Sequence, residues 1–298
     1  MINRLKIEII TVNYNSEALL GKFIESLILQ DYIHWELLIV NNSQKNNKIN
    51  KIINYYNDER INLFNINKNV GYAVGNNQGF YFLENFRSIN SESIILFSNP
   101  DIYLKETDII SKSIDYIKKN NCDFFGLKIL NPDGTFMLPH IEETNYIKCI
   151  MHIGNNGVID RIFNINKALK KVNSPINVFS LNGSFFFAKA NSFKISGLFD
   201  PDIFLFYEEE ILFRNAKKNK MKVIYSPEIL VYHNHSATLK KEFKLLEIKK
   251  ILFYSELYFL KNILKINKFF LYIFQLERHL EQFFIKILEY LKSGKSIN

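Results

Sequence analysis

Long apolar runs and paired cysteines are both missing from this sequence, and each absence excludes a class of protein. No window approaches about eighteen uninterrupted apolar residues, so we expect no segment that spans a bilayer. The two cysteines, Cys122 and Cys149, are far apart and lack metal-ligand spacing. A disulfide framework is therefore not expected, and a reducing cytoplasm suits the composition. The first residues run directly into a strand-like segment, so no signal peptide is expected.

Acidic residues are outnumbered, and most of the basic excess lies near the C-terminus. The formal net charge is +8, and residues 240–298 contain twelve Lys or Arg against six Glu. Apolar residues recur there at three- and four-residue steps, which predicts two amphipathic helices broken near Lys265 to Lys268. Such helices suit an anionic membrane surface, and packing on the rest of the chain or on a second subunit, as in a homodimer, is an equal alternative. The basic residues form no nucleic-acid motif, so no nucleic-acid partner is expected.

The rest of the chain, residues 1–239, alternates between strand-like and helix-like segments. Four apolar runs predict strands, namely "KIEIITVNYN", "WELLIVNN", "INLFNI" and "SIILFSNPD", and helical patterns separate them. The first helix is expected to have Ser16 as its cap. This alternation predicts an α/β fold with a mostly parallel sheet covered by helices on both faces. Ligands bind beyond the carboxyl ends of such strands, where Asn13, Asn41 and Asp101 fall.

After about Lys105 the pattern is mixed. "DFFGLKILNPDGTFMLP" predicts a strand, a Pro-Asp-Gly turn and a return strand. "SFFFAK", "MKVIYS" and "ILVYH" predict three further strands, with a helix from about Tyr207 to Lys218 between the first two. The basic amphipathic segment 240–298 is then a helical extension of the domain formed by residues 1–239.

Six motifs occur in order: "VNYNS", "IVNNS", "NVGYAVGNNQG", "SNPD", "GLFDPDIFLFYEEEIL" and "PEILVYHNHSAT". Together they resemble a family 2 glycosyltransferase with a GT-A fold, of the bacterial rhamnosyltransferase-like branch. The resemblance covers roughly Lys6 to Thr238, and the order and strand-end placement make the set specific. It implies an enzyme that passes a sugar from a nucleotide diphosphate sugar to an acceptor hydroxyl.

The resemblance implies a Mg²⁺ or Mn²⁺ site beside the diphosphate. "Asn99-Pro100-Asp101" matches the Asn-x-Asp form of the family's Asp-x-Asp motif, so Asp101 is the expected metal or diphosphate contact. A plain Asx-type turn is the alternative for this stretch. His233 is expected near the diphosphate and metal, with His235 and Ser236 as second contacts. The alternative for the two histidines is a surface pair, because the chain offers no convincing zinc ligand set.

The donor-binding residues implied by the resemblance lie in the first loops and the second good helix. Asn41 stands where the family usually has Asp, and an amide can still donate and accept. Gly71 and Gly75 are expected where the backbone approaches a ligand or another element closely. The expected nucleotide-sugar contacts are Thr11, Val12, Asn13, Asn41, Gly71, Asn76, Asn77 and Asn99.

The expected catalytic base is one of the acids in "FLFYEEEILFR". By resemblance Glu209 is the general base and Glu208 the second candidate, whereas Glu210 is expected to be solvated or paired. Adjacent acids raise one another's pKa, which suits a base near neutrality. An acidic first turn that complements the helix dipole is the structural alternative. Asn182 and Asp200 are expected on the acceptor side.

The sequence therefore predicts inverting transfer of a dTDP- or UDP-linked sugar to a growing, lipid-linked surface glycan. The enzyme is expected in the cytoplasm, peripheral on the inner face of the membrane. A sugar nucleotidyltransferase is one alternative, although "TVNYNSEALL" lacks the Gly-rich basic triphosphate loop of that class. A non-catalytic glycan- or nucleotide-binding protein of the same fold is the other.

Overall fold

The computed structural model describes residues 5–44, 47–87, 89–145, 172–234 and 243–292. Its first elements are β1 (Ile7–Asn13), α1 (Glu17–Ile28), β2 (Trp35–Asn41), α2 (Asn47–Tyr56), β3 (Ile61–Asn65), α3 (Gly71–Phe86) and β4 (Ile94–Ser98). There follow β5 (Ile102–Tyr103), α4 (Ile109–Asn120), β6 (Phe124–Leu130), β7 (Phe136–Met137), β8 (Ile176–Asn177), β9 (Phe185–Lys189), α5 (Ala190–Ile195), α6 (Glu208–Lys218) and β10 (Val223–His233). The last are α7 (Leu245–Tyr258), a π-helical turn (Phe259–Ile263) and α8 (Lys268–Lys292).

The strands form one mixed sheet in the order β3-β2-β1-β4-β9-β6-β10-β5, with β7 paired to β6 and β8 to β10. β3, β2, β1 and β4 are mutually parallel, β6 and β10 are parallel, and β9 runs antiparallel to β4 and β6. The α/β prediction is thus confirmed. One correction concerns "MKVIYS" and "ILVYH", which form the single strand β10. Its register against β6 shifts between Ser226 and Leu230, so the Ser-Pro-Glu interruption is absorbed as a bulge.

Each face of the sheet buries its own layer of helices. Ile9 and Ile39 point into the cluster that holds α1, α2 and α4, whereas Ile10 and Val40 point into the cluster that holds α3, α5 and α6. Adjacent strand residues face opposite sides, which is why near-continuous apolar strands occur in a sheet covered twice. Cys122 is a buried free thiol in the first cluster, and Cys149 lies outside the described residues.

Helix α3 packs unusually close to the sheet because glycines face it. A Cβ at Gly79 would lie 2.8 Å from Ile10 and 2.9 Å from Val40, and one at Gly75 would lie 3.0 Å from Val12. Only a residue without a side chain fits this approach. The close contact brings the first turn of α3 to the carboxyl ends of β1 and β2.

The C-terminal helices pack against the segment that precedes α6. Phe253, Phe259 and Phe274 share a hydrophobic cluster with Ile203 and Ile211. The break between the π-helical turn and α8 falls at residues 264–267. Within the described ranges, every helix is too short or too polar to cross a bilayer.

Candidate active site

A cavity of about 340 Å³ opens beyond the carboxyl ends of β1 and β4. Its walls come from both halves of the chain, because β9 and β10 bring the later segments alongside the first strands. The residues predicted from the sequence that line it are Val12, Gly71, Asn99, Asp101, Asn182, Glu208, Glu209 and His233.

Asp101 and His233 form a buried pair at one wall of the cavity. The His233 Nε2 lies 3.0 Å from the Asp101 Oδ1, and its Nδ1 lies 3.0 Å from the Met137 sulfur. The strand pairing of β5 with β10 sets Ile102 opposite His233 and so places Asp101 beside the imidazole. "SNPD" is also a turn, since the Ile102 N–H reaches the Asn99 carbonyl at 3.3 Å. The turn and the ligand-facing carboxylate are therefore compatible.

The donor set of this pair fits a divalent cation. A carboxylate and an imidazole are both ligands that Mn²⁺ accepts, and Mg²⁺ takes one or two carboxylates beside phosphate oxygens. No cluster of three or more His, Cys, Asp or Glu that could hold a metal occurs among residues in the described ranges. A cation here would have two protein ligands and would take its remaining ligands from a diphosphate and water. His235 and Ser236 lie outside the described residues.

Glu208 and Glu209 begin α6 and also line the cavity. The Gly183 N–H donates to the Glu209 Oε1 at 3.2 Å, and the Glu208 Oε2 is buried without a hydrogen-bond partner in the described part of the chain. Burial raises the pKa of Glu209, and burial together with the Glu209 charge raises the pKa of Glu208 well above its ordinary value. Two carboxyl groups that resist ionisation thus face the cavity.

Glu210 has a different environment. Its Oε1 accepts the Thr144 N–H at 2.9 Å and lies 3.4 Å from the Arg214 Nε. The carboxylate is therefore tied to its own helix and to the 140–145 segment, and it does not line the cavity.

The turn before α6 has an uncommon backbone. Phe206 and Tyr207 have φ angles of 72° and 71°, a left-handed conformation that bulky residues rarely adopt. Such strain persists only where surrounding contacts impose it, and it clusters at functional sites. Here the left-handed pair directs Glu208 and Glu209 from the turn into the start of the helix.

Asn76 and Asn77, which the sequence predicts as nucleotide-sugar contacts, are hydrogen-bonded to the main chain. The Asn77 Nδ2 donates to the Phe199 carbonyl at 2.7 Å, and the Phe199 N–H donates to the Asn77 Oδ1 at 3.1 Å. The Asn76 Nδ2 donates to the Tyr72 carbonyl at 3.0 Å. These buried amides bond to the main chain and are not among the residues that line the cavity, so their expected contact with a donor stays a prediction.

Asn13 and Asn41 are buried and are not among the residues that line the cavity, so their expected contact with a donor stays a prediction. The Asn13 Nδ2 donates to the Asn41 Oδ1 at 3.1 Å, and the Asn41 Nδ2 donates to the Asn65 Oδ1 at 2.9 Å. The parallel register of β1, β2 and β3 stacks the three amides in a row. Ser16 donates to the Asn13 Oδ1 at 2.9 Å, and its side chain does not cap α1.

Thr11 and Asp200 are also placed away from the cavity lining. Thr11 is fully buried, and its Oγ1 has no partner among the described atoms. The Asp200 carboxylate accepts the Tyr258 hydroxyl at 3.0 Å and the Asp202 N–H at 3.0 Å. Asp200 therefore joins its loop to α7 and is not among the residues that line the cavity, so its expected acceptor contact stays a prediction.

Sequence reasoning missed several cavity residues. The Asn42 Nδ2 donates to the Gly71 carbonyl at 3.0 Å, and the Tyr72 hydroxyl donates to the Gly183 carbonyl at 2.5 Å. Asn42 directly follows β2, so the strand-end rule could have found it, whereas Tyr72 lies in the first turn of α3 beside the predicted Gly71. Phe204 lies within the motif "GLFDPDIFLFYEEEIL", whereas Phe243 comes from a distant segment and carries no local signal.

Comparison with known sequences identifies the family. The profile described as Glycosyl transferase family 2 matches residues 8–194. The putative teichuronic acid biosynthesis glycosyltransferase TuaG of Bacillus subtilis (strain 168) is 26% identical over 132 residues, which are 43% of this chain and 49% of that protein. The match thus spans about half the length of this curated relative.

Solved structures share the fold at low identity. GalNAc-T7, solved with UDP, GalNAc and Mn²⁺, has a TM-score of 0.57 at 13% identity over 78% of this chain and 44% of its own. S. aureus TarS 1–349 has a TM-score of 0.55 at 13% identity over 87% and 73%. The mannosyltransferase PcManGT from Pyrobaculum calidifontis, solved with GDP-Man and Mn²⁺, has a TM-score of 0.57 at 12% identity over 99% and 77%. These likenesses show a GT-A fold, and since the family profile covers more than half of the sequence, the chain belongs to glycosyl transferase family 2.

Proposed function

We propose that this protein transfers a sugar from a nucleotide diphosphate sugar to an acceptor hydroxyl with inversion at the anomeric carbon. The observation that carries the proposal is the cavity that has the buried acids Glu208 and Glu209 at one wall and the Asp101–His233 pair at another. A group that can take a proton and a pair that can hold a diphosphate cation are the two functions such a transfer requires. The named activities of the relatives agree with this class of reaction.

Asp101 and His233 are the residues we assign to Mg²⁺ or Mn²⁺. When bound, the cation supplies positive charge beside the diphosphate leaving group. Asn99 is half-buried at the cavity wall and is assigned to the ribose or sugar. Val12 and Gly71 line the region assigned to the nucleobase, which we expect to be uracil or thymine. Mn²⁺ and a nucleotide or nucleotide sugar occur in two of the similar structures, which supports this donor class.

Glu209 is the proposed general base, with Glu208 as the second candidate. The carboxylate takes the proton of the acceptor hydroxyl while the acceptor oxygen bonds to the anomeric carbon. The bond from that carbon to the diphosphate oxygen breaks on the opposite face, and the nucleoside diphosphate leaves with the electron pair. Burial raises the pKa of Glu209, which makes its carboxylate a stronger base toward the acceptor proton. Asn182, also at the cavity wall, is assigned to an acceptor hydroxyl.

The acceptor we propose is a growing surface glycan that is linked to lipid. The name of the Bacillus relative refers to teichuronic acid biosynthesis, which supports a polysaccharide acceptor. A lipid-linked acceptor would bring the enzyme to the cytoplasmic face of a membrane. We assign contact with the membrane to the C-terminal helices. The alternative for these helices is contact with a second copy of the chain.

Thermal stabilisation by donor candidates tests the proposal. The panel is UDP-, dTDP- and GDP-linked sugars with Mn²⁺ or with EDTA, on the wild type and on Asp101→Ala. The exposed Asp115 on α4 gives a matched control, Asp115→Ala. We expect one donor to stabilise the wild type and the control only with metal, and to leave Asp101→Ala unchanged. Stabilisation of Asp101→Ala equal to that of the wild type would remove the metal assignment. Donor binding without sugar transfer would indicate a non-catalytic binding protein.

A further inference from the structure

Helix α8 exposes one continuous apolar stripe. The members follow one another at three- and four-residue steps, which places them on one side of a helix over about 27 Å. Their exposed fractions run from 38% to 65%. The members of this stripe are Phe269, Tyr272, Leu276, Leu280, Phe283 and Ile287.

The opposite side of α8 packs against α7. Phe274 is fully buried in the cluster with α7, and Arg278 is buried and paired with Glu256 at 2.8 Å. The stripe therefore faces away from the part of the chain that the structure describes. Scattered exposed apolar residues are ordinary, but six on one helix side form a contiguous patch of the kind that marks an interaction surface.

One edge of the stripe carries two lysines. Lys268, His279 and Lys286 are exposed, and at 100° per residue they lie along one edge of the stripe. Glu277 lies on the other edge of the stripe, about 180° around the helix from the two lysines, and Glu281 on the buried side is neutralised by Lys249 and Arg278. The lysines at the edge consequently have no acid of α8 beside them, within the described side chains, to balance their charge.

We propose that the stripe docks on an anionic bilayer surface. Apolar side chains bordered by lysine are the pattern with which a helix lies in the headgroup region. A two-fold antiparallel pairing of two copies would bring like edges together, lysine beside lysine, whereas anionic lipid supplies the opposite charge. Docking deepens the proposed function, since it would bring the enzyme to a lipid-linked acceptor. Its test does not depend on sugar transfer.

Co-sedimentation of the full chain with vesicles tests the docking. One set contains phosphatidylcholine alone and the other about 30% phosphatidylglycerol, which gives the surface a negative potential. Replacing Lys268 and Lys286 by Gln should weaken binding to the anionic set about 30-fold, because each lysine near such a surface contributes about a factor of five. Leu276→Ser with Leu280→Ser and Phe283→Ser should abolish binding to both sets.

The matched control changes three exposed apolar residues elsewhere, Leu29→Ser, Ile33→Ser and Phe86→Ser, and should bind like the wild type. Wild type that fails to bind anionic vesicles, or a lysine variant that binds as tightly as the wild type, would overturn the proposal. A wild-type dimer in light scattering that the serine variant converts to monomer, with no vesicle binding by either, would assign the stripe to a second copy. The lysine variant retains the apolar stripe, so it decides the question even if the serine variant folds poorly.

The buried side of the C-terminal helices carries an independent inference. The Ser255 hydroxyl donates to the Leu205 carbonyl at 2.7 Å. The Tyr207 hydroxyl lies 3.4 Å from the Glu256 Oε1, and Arg278 holds the same oxygen at 2.8 Å. These contacts from α7 and α8 hold residues 205–207 in place, and this segment contains the left-handed pair that precedes the acids of α6.

We infer that Ser255 and Glu256 are positioning residues for Glu208 and Glu209. A left-handed conformation costs about 1–2 kcal/mol for each non-glycine residue, so outside contacts must impose it. This inference rests on the proposed function, since it concerns the proposed base. Removing the Ser255 hydroxyl changes no side chain that lines the cavity, and it releases one support of the turn.

Steady-state kinetics separates positioning from simple stability. Ser255→Ala should lower kcat at least ~10-fold with little change in the donor KM, and Ser255→Thr, which keeps the hydroxyl, should restore it. Lys249→Met is the matched control, because it breaks the ion pair to Glu281 between the same two helices without touching the turn. Equal loss of kcat in Lys249→Met, or wild-type kcat in Ser255→Ala, would overturn the inference. A wild type that transfers no sugar from any donor would overturn the proposed function and this inference together.

Discussion

Replacing Gly183 by alanine should move the proposed base while leaving the fold intact. A methyl group at Gly183 would lie 2.7 Å from the Glu209 Oε1 and 3.0 Å from its Cδ. Restoring an ordinary contact of 3.4 Å requires the carboxylate to shift by about 0.7 Å. Gly183 does not have a left-handed φ, so alanine is compatible with the backbone. A misplacement near 1 Å costs about 100-fold in rate, and we therefore expect kcat to fall about 10- to 100-fold.

Initial rates of nucleoside diphosphate release measure this effect with the donor found by thermal stabilisation. The donor KM should change little, because the Asp101–His233 pair is untouched. Gly21→Ala is the matched control: its methyl would meet only the Tyr56 hydroxyl oxygen at 3.8 Å, inside α1. Alanine there should stabilise the fold by about 1 kcal/mol and leave kcat unchanged.

A double variant tests the cause. In a Glu209→Ala background the clash no longer exists, so Gly183→Ala should lower the residual rate no further. Wild-type kcat in Gly183→Ala, or the same fold-loss with and without the Glu209 carboxylate, would refute the reasoning.

Three further substitutions are expected to change the stability of the fold. Asn77→Ala leaves the buried Phe199 N–H and carbonyl unpaired, so the free energy of unfolding measured in urea should fall by about 2–4 kcal/mol while donor affinity stays unchanged. A loss of donor affinity at wild-type stability would instead place Asn77 in the donor site. Glu208→Gln should raise Tm more at pH 8 than at pH 5. Burial lifts the folded pKa of Glu208 above its unfolded value, so the wild type loses stability as the pH rises from about 4.5. Equal gains in Tm at both pH values would contradict this. Gly71→Ala should lower the free energy of unfolding by at least ~2 kcal/mol, because φ at Gly71 is 84° and the methyl would lie 2.3 Å from the Phe204 carbonyl oxygen. An unchanged Tm would show that alanine is not strained at this position.

Local patterns accounted for much of the fold and part of the site. The alternation of apolar strands with helical stretches predicted β1 to β4 and the helices between them, because side-chain period and burial are set within a few residues. "SNPD" placed Asp101 at a strand end, and strand ends meet at one edge of a parallel sheet. The acids of α6 and His233 were recognisable from the family resemblance, and the structure brings them to the same cavity as Asp101.

Residue type and strand-end position were therefore determined by the sequence alone, whereas the partner of each polar side chain was decided by the tertiary structure. Asn77 bonds to Phe199, which is 122 residues away, and Asp200 bonds to Tyr258 on a C-terminal helix. The local sequence around an Asn or Asp is the same whether its side chain faces a cavity or is buried against another element. Which group they meet depends on how closely α3 approaches the sheet and on where α7 docks. These distances are fixed by packing among segments far apart in the chain, and no local pattern records them.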